Sequence, residues 1–116
     1  MSDRLKVLFV CSRNRWRSPT AEKIFRESRI IEARSAGTSA SAKRRLSIRD
    51  LEWADIVLVM ETSHRERIRE TFGHQARGVS IEVLGIPDEY VFMDPELVDE
   101  IRAQVGRVLP ETLMSE

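Results

Sequence analysis

The chain has 116 residues, with 19 Lys and Arg against 19 Asp and Glu and a formal charge of +0. A zero balance argues against bulk nucleic-acid binding, which needs an excess of phosphate-neutralising cations. Apolar residues at 41% and charged residues at 33% exclude a disordered or membrane-embedded chain, and the length fits one domain over 1–116. Sixteen of the cations are arginines, the residue suited to two-pronged recognition of oxyanions.

Cys11 is the one cysteine. It has no partner for a disulfide, and no Cys/His spacing suggests zinc or another metal. No apolar run approaches the ~20 residues of a membrane span. The opening residues lead into Val7-Leu8-Phe9-Val10, shorter than the ~7–15 residues of a signal-peptide core. The expectation is a cytoplasmic protein without cofactor, its thiol kept reduced.

Val7–Val10 reads as a strand buried on both faces. A helix follows, with Ser18 as N-cap, Pro19 at the first helical position and Glu22 completing a capping pattern. Ile30–Ala36 is a second strand closed by Gly37, and Asp50–Ala54 a helical turn leading into a third strand, Ile56–Met60. Thr62 or Ser63 is placed to cap the next helix, which turns Ile68 and Phe72 inward. Val79–Leu84 alternates as a fourth strand. Asp94-Pro95-Glu96 then opens a helix with Leu97, Val98, Ile101, Val105, Val108 and Leu109 on one stripe. The order predicts an α/β fold: a four-stranded parallel sheet flanked by helices in three layers. Ligands bind beyond the carboxyl ends of such strands, which points to two loops, 11–18 and 85–93.

The first loop, Cys11-Ser12-Arg13-Asn14-Arg15-Trp16-Arg17-Ser18, feeds a helix start. Its backbone N–H groups and the positive end of the helix dipole form an anion site. The same field stabilises a thiolate. Arg17, six residues after Cys11, returns alongside a bound oxyanion if the loop closes on itself. Asn14 tolerates the left-handed backbone that such a reversal requires. A thiolate beneath an oxyanion cradle suits nucleophilic attack on phosphorus. His64 and His74 are expected on the surface, and Trp53 in the core.

The run Val10-Cys11-x-x-Asn14-x-x-Arg17-Ser18-Pro19-x-Ala21-Glu22 resembles the phosphate loop of low-molecular-weight protein tyrosine phosphatases. Ser35-Ala36-Gly37-Thr38, Arg45-Leu46-Ser47 and Trp53–Met60 resemble further stretches of that family. The resemblance implies a phosphotyrosine phosphatase-like hydrolase acting through a phosphocysteine. Cys11 is then the nucleophile, and Ser12, Arg13, Asn14, Arg15, Trp16, Arg17 and Ser18 bind phosphate. Ser18 donates to the sulfur, and Asn14 holds the loop open with Ser35. Of two candidate general acids, Asp88 is preferred and Asp94 is the alternative, because Asp94-Pro95 already has a capping role. Tyr90 and Trp16 wall the substrate pocket.

The sequence departs from the family pattern at Arg13, where glycine is usual, and at Trp16, often a second cysteine. After Thr38 it is shorter, so that a helix of the substrate rim is missing. The substrates implied are phosphorylated proteins or small aryl phosphates, with no nucleic-acid or membrane partner. Two other activities compete: arsenate reduction with an external thiol, and phosphate or phosphoprotein binding without turnover.

Overall fold

The computed structural model describes residues 4–109. Residues 1–3, at the edge of the stretch read for a leader, lie outside that range. The strands are β1 (Leu5–Cys11), β2 (Ile31–Gly37), β3 (Ile56–Val59) and β4 (Ile81–Val83). They form one parallel sheet in the order β2-β1-β3-β4. Four α-helices connect or follow them: α1 (Arg17–Ile24), α2 (Ile48–Trp53), α3 (Thr62–Phe72) and α4 (Pro95–Val108). A 3-10 turn, Gly73–Ala76, follows α3.

Strand β1 is central, and side chains alternate across it. Val7, Phe9 and Cys11 face a core shared with Ala21 and Phe25 on the α1 side and with Leu97, Ile101 and Val105 of α4. Leu8 and Val10 face the other core, with Leu51 of α2 and Ile68 of α3. Both faces are covered, so β1 reads as an unbroken apolar run rather than an alternating one. Phe9 and Phe25 stack at 5.8 Å, tying α1 to the sheet.

Three helix starts test the sequence reading. Asp94 caps α4 as expected, accepting from the Glu96 N–H at 2.9 Å. Helix α1 begins at Arg17 after Trp16, without a side-chain cap, so Ser18 does not cap it. The Ser18 hydroxyl is bonded to Cys11 and Asn14 instead, and Glu22 accepts from Ser35 rather than closing a capping box. Helix α3 is preceded by Glu61, and exposed Thr62 and Ser63 do not cap it. Strand β4 is shorter than the expected 79–84, but pairing continues beyond it: Leu84 N–H donates to Val59 O, and Ile86 N–H to Met60 O, each at 2.8 Å. Trp53 is half-buried against the second core, with the Arg34 guanidinium 4.1 Å above its ring.

Between β2 and α2 no helix forms in residues 38–47. This segment runs behind the 11–18 loop. Thr38 N–H donates to Cys11 O at 3.0 Å, Ser39 N–H to Ser12 O at 2.9 Å and Lys43 N–H to Arg13 O at 2.9 Å. Gly37 makes this approach possible: a Cβ there would lie 2.5 Å from Ser12 O and 2.6 Å from Ala42 Cβ.

Candidate active site

The carbonyls of Cys11, Ser12 and Arg13 all point back to the 38–43 segment. A trans peptide places the next N–H on the opposite side. The N–H groups of Ser12, Arg13 and Asn14 therefore face the concave side of the loop. Asn14 makes the reversal at φ 56, the left-handed region. Arg13 keeps negative φ, so no glycine is required there.

Within this bowl lies a cavity of about 330 Å³ lined by Cys11, Ser12, Arg13, Arg15, Trp16, Arg17 and Asp88. Cys11 is 3% exposed, yet its sulfur is not an inert core atom. It lies 3.0 Å from Ser18 Oγ. Asn14 Nδ2 donates to Ser18 Oγ at 2.9 Å and to Ser35 Oγ at 3.0 Å, and Ser35 donates to Glu22. Because Ser18 accepts from Asn14, its own proton is free for the sulfur or for Ala36 O, the latter longer at 3.4 Å. The network runs from the Glu22 carboxylate to the Cys11 sulfur with every buried polar side-chain atom bonded among the described residues.

Arg17 is buried at 4% exposure. Its Nη1 donates to Ile86 O at 2.8 Å and to the Glu61 carboxylate, and its Nε is 3.7 Å from Asp88 Oδ1. The guanidinium is thereby fixed at the rim of the cavity rather than free to leave it.

Two residues here escaped the sequence reading. His64, expected on the surface, is 2% exposed. Its Nδ1 accepts from the Glu61 backbone N–H at 3.0 Å, and its Nε2 lies 2.9 Å from Ser12 Oγ. Burial, then the Arg17 charge, lowers its pKa to about 4 against opposing effects of Glu61 and Asp88. Glu61 and His64 follow β3, the strand beside β1. That carboxyl end also borders the site, a signal available in the strand order. His74 is exposed as expected.

Asp88 is exposed at the cavity wall, whereas Asp94 is occupied at the α4 start. Tyr90 does not line the cavity, contrary to expectation. It packs half-buried against the α4-side core, where burial and then the carboxylates of Glu89, Glu100, Glu96 and Asp94 raise its pKa. The chain between Asp88 and α4 is drawn that way by a tight turn. Met93 adopts φ 61, its N–H donating to Thr20 Oγ1 at 2.9 Å. Trp16 does line the cavity, 38% exposed, with the Arg15 guanidinium 5.2 Å from its ring. Among the described residues, no group of three or more His, Cys, Asp or Glu side chains is placed to hold a metal ion. Nor is any helix long and apolar enough to cross a membrane.

The family model described as low molecular weight phosphotyrosine protein phosphatase matches residues 6–48, which contain this loop and its buttress. The chain has the low-molecular-weight phosphatase fold. A tyrosine phosphatase of that class from Streptococcus pyogenes superposes with a TM-score of 0.74 at 20% identity, covering 97% of this chain and 98% of that one. The arginine phosphatase YwlE from Geobacillus stearothermophilus does so with 0.67 at 21% identity, covering 97% of each chain. The tyrosine phosphatase Wzb from Escherichia coli K30, in complex with phosphate, gives 0.65 at 24% identity, covering 92% of this chain and 96% of that one. Among curated proteins nothing matches the sequence.

Proposed function

We propose that this protein is a cysteine-dependent phosphatase that hydrolyses aryl phosphate monoesters, phosphotyrosine among them, through a phosphocysteine. The observation that carries the reading is the placement of the Cys11 sulfur, bonded to Ser18, in one cavity with a fixed Arg17. Arg17 and the amides hold the non-bridging oxygens. The Cys11 thiolate attacks phosphorus, and the bond from phosphorus to the ester oxygen breaks. Asp88 gives that oxygen its proton. Water then attacks the phosphocysteine, Asp88 takes its proton, and the thiolate leaves with inorganic phosphate. The Ser18 hydroxyl stabilises the sulfur anion at both ends of the cycle.

Structural neighbours include both arginine and tyrosine phosphatases, so the fold alone does not select the substrate. Trp16 favours an aryl group, offering a ring face at the cavity edge. The test is hydrolysis of p-nitrophenyl phosphate in the presence of a chelator. Turnover blocked by vanadate and reduced about 10⁴-fold or more in Cys11→Ser is expected. Turnover that survives in Cys11→Ser overturns the reading. A phosphotyrosine peptide hydrolysed no faster than phosphoserine or phosphoarginine removes the aryl assignment alone.

A further inference from the structure

We infer that Ser12 is an additional hydrogen-bond donor to the bound phosphoryl group, its proton turned into the cavity by His64. The inference rests on the reading of this cavity as a phosphoryl site. The Glu61 backbone N–H is a donor only, so His64 Nδ1 must be the acceptor of their 3.0 Å bond. A neutral ring then carries its proton on Nε2, which donates to Ser12 Oγ at 2.9 Å. Ser12 Oγ is thus an acceptor toward His64, and its single proton is directed elsewhere. Ser12 lines the same cavity as Cys11 and Arg17, which gives that proton an anion to meet. Its backbone is fixed by the bond from Ser39 N–H to Ser12 O.

The same three residues explain how the loop is held at both ends. Glu61 binds Arg17 through its carboxylate and His64 through its backbone N–H, and His64 binds Ser12. Glu61, just before α3, and His64, in its first turn, therefore connect the opening of the loop, at Ser12, with its close, at Arg17. His64 touches no substrate in this scheme and is a positioning residue. A donor aimed at a phosphoryl oxygen strengthens as charge grows there, so Ser12 contributes to binding of the product and to the transition state.

Calorimetric titration with inorganic phosphate, paired with kcat/KM on p-nitrophenyl phosphate, tests the assignment in wild type, Ser12→Ala, Ser12→Thr, His64→Ala and the Ser12→Ala/His64→Ala double variant. Ser12→Ala is expected to weaken phosphate binding and lower kcat/KM by roughly ten- to a hundredfold, while Ser12→Thr, which keeps the hydroxyl, stays within about threefold. His64→Ala loses activity on its own, but the double variant is no worse than Ser12→Ala, because His64 acts through Ser12. Phosphate affinity unchanged in Ser12→Ala overturns the inference, as do single losses that multiply in the double variant. Where His64→Ala is unfolded at the assay temperature, the Ser12 pair decides alone. A wild type showing this graded phosphate binding but no ester turnover supports the Ser12 donor and overturns the proposed hydrolysis. A wild type that turns over esters with Ser12→Ala unaffected does the reverse.

Discussion

Arg17 is held by acceptors from three directions: Ile86 O, Glu61 and, more distantly, Asp88. A lysine offers one point charge and cannot span these partners while facing an anion. Arg17→Lys is expected to lower kcat/KM by about 10²–10³-fold, measured on an aryl phosphate. The two aspartates separate by position. Asp88→Asn is expected to lower kcat by roughly 10²–10⁴-fold. Asp94→Ala instead leaves kcat near wild type and costs about 0.5–2 kcal/mol in denaturant unfolding, as loss of an N-cap does. The reverse pattern transfers the acid role to Asp94. At this scale the sequence made the shared cavity of Cys11 and Arg17 and the reversal at Asn14 visible, because all three lie within one short loop. Glu61 and His64 were hidden because they reach the site from a different strand, and a polar helix start looks the same whether it meets water or a buried guanidinium. Tyr90 was misplaced for a related reason: the Met93 turn and its bond to Thr20 set the direction of the chain, and neither is written in the Asp-x-aromatic spacing.

The 11–18 loop owes its shape to an element that contributes no side chain to the cavity. The segment after β2 draws three loop carbonyls outward and so turns the amides inward. At Gly37 the packing leaves no room for a side chain, and Gly37→Ala places its methyl against Ser12 O and Ala42. The expected cost is about 1–3 kcal/mol in unfolding free energy, with weaker phosphate binding in the protein that remains folded. Unchanged stability and phosphate affinity would show that the buttress is dispensable. The strands and α4 were legible because both depend on local pattern: continuous apolar runs for strands covered on both faces, and a stripe at helical spacing. The start of α1 was not. Ser-Pro before a helical run is an ordinary capping signal, and only the tertiary structure shows the Ser18 hydroxyl engaged by Cys11 and Asn14.

Across the whole molecule, two apolar layers clamp β1, and the site sits where that strand ends. Ile101 is fully buried in the α4-side layer. Ile101→Ala is expected to cost about 2–5 kcal/mol, read from chemical denaturation, while Cys11 chemistry persists in the folded fraction. His64 couples the site to acid stability. Its pKa is 6.5 when free and about 4 when folded, so in that interval the unfolded chain binds the extra proton and the native chain does not. The contribution of His64 is complete above pH 6.5 and is lost as pH falls toward about 4. Wild type should therefore lose Tm over that interval more steeply than His64→Gln, by an amount on the order of 5 °C. Parallel curves would show that His64 is not held neutral by its burial. The most direct measurement for the account as a whole is mass spectrometry of enzyme quenched in acid during turnover of an aryl phosphate, using Asp88→Asn to slow release. A phosphoryl group on Cys11 is predicted, absent in Cys11→Ser. Ester hydrolysis with Cys11 unmodified throughout, or a phosphoryl group on another residue, would contradict it.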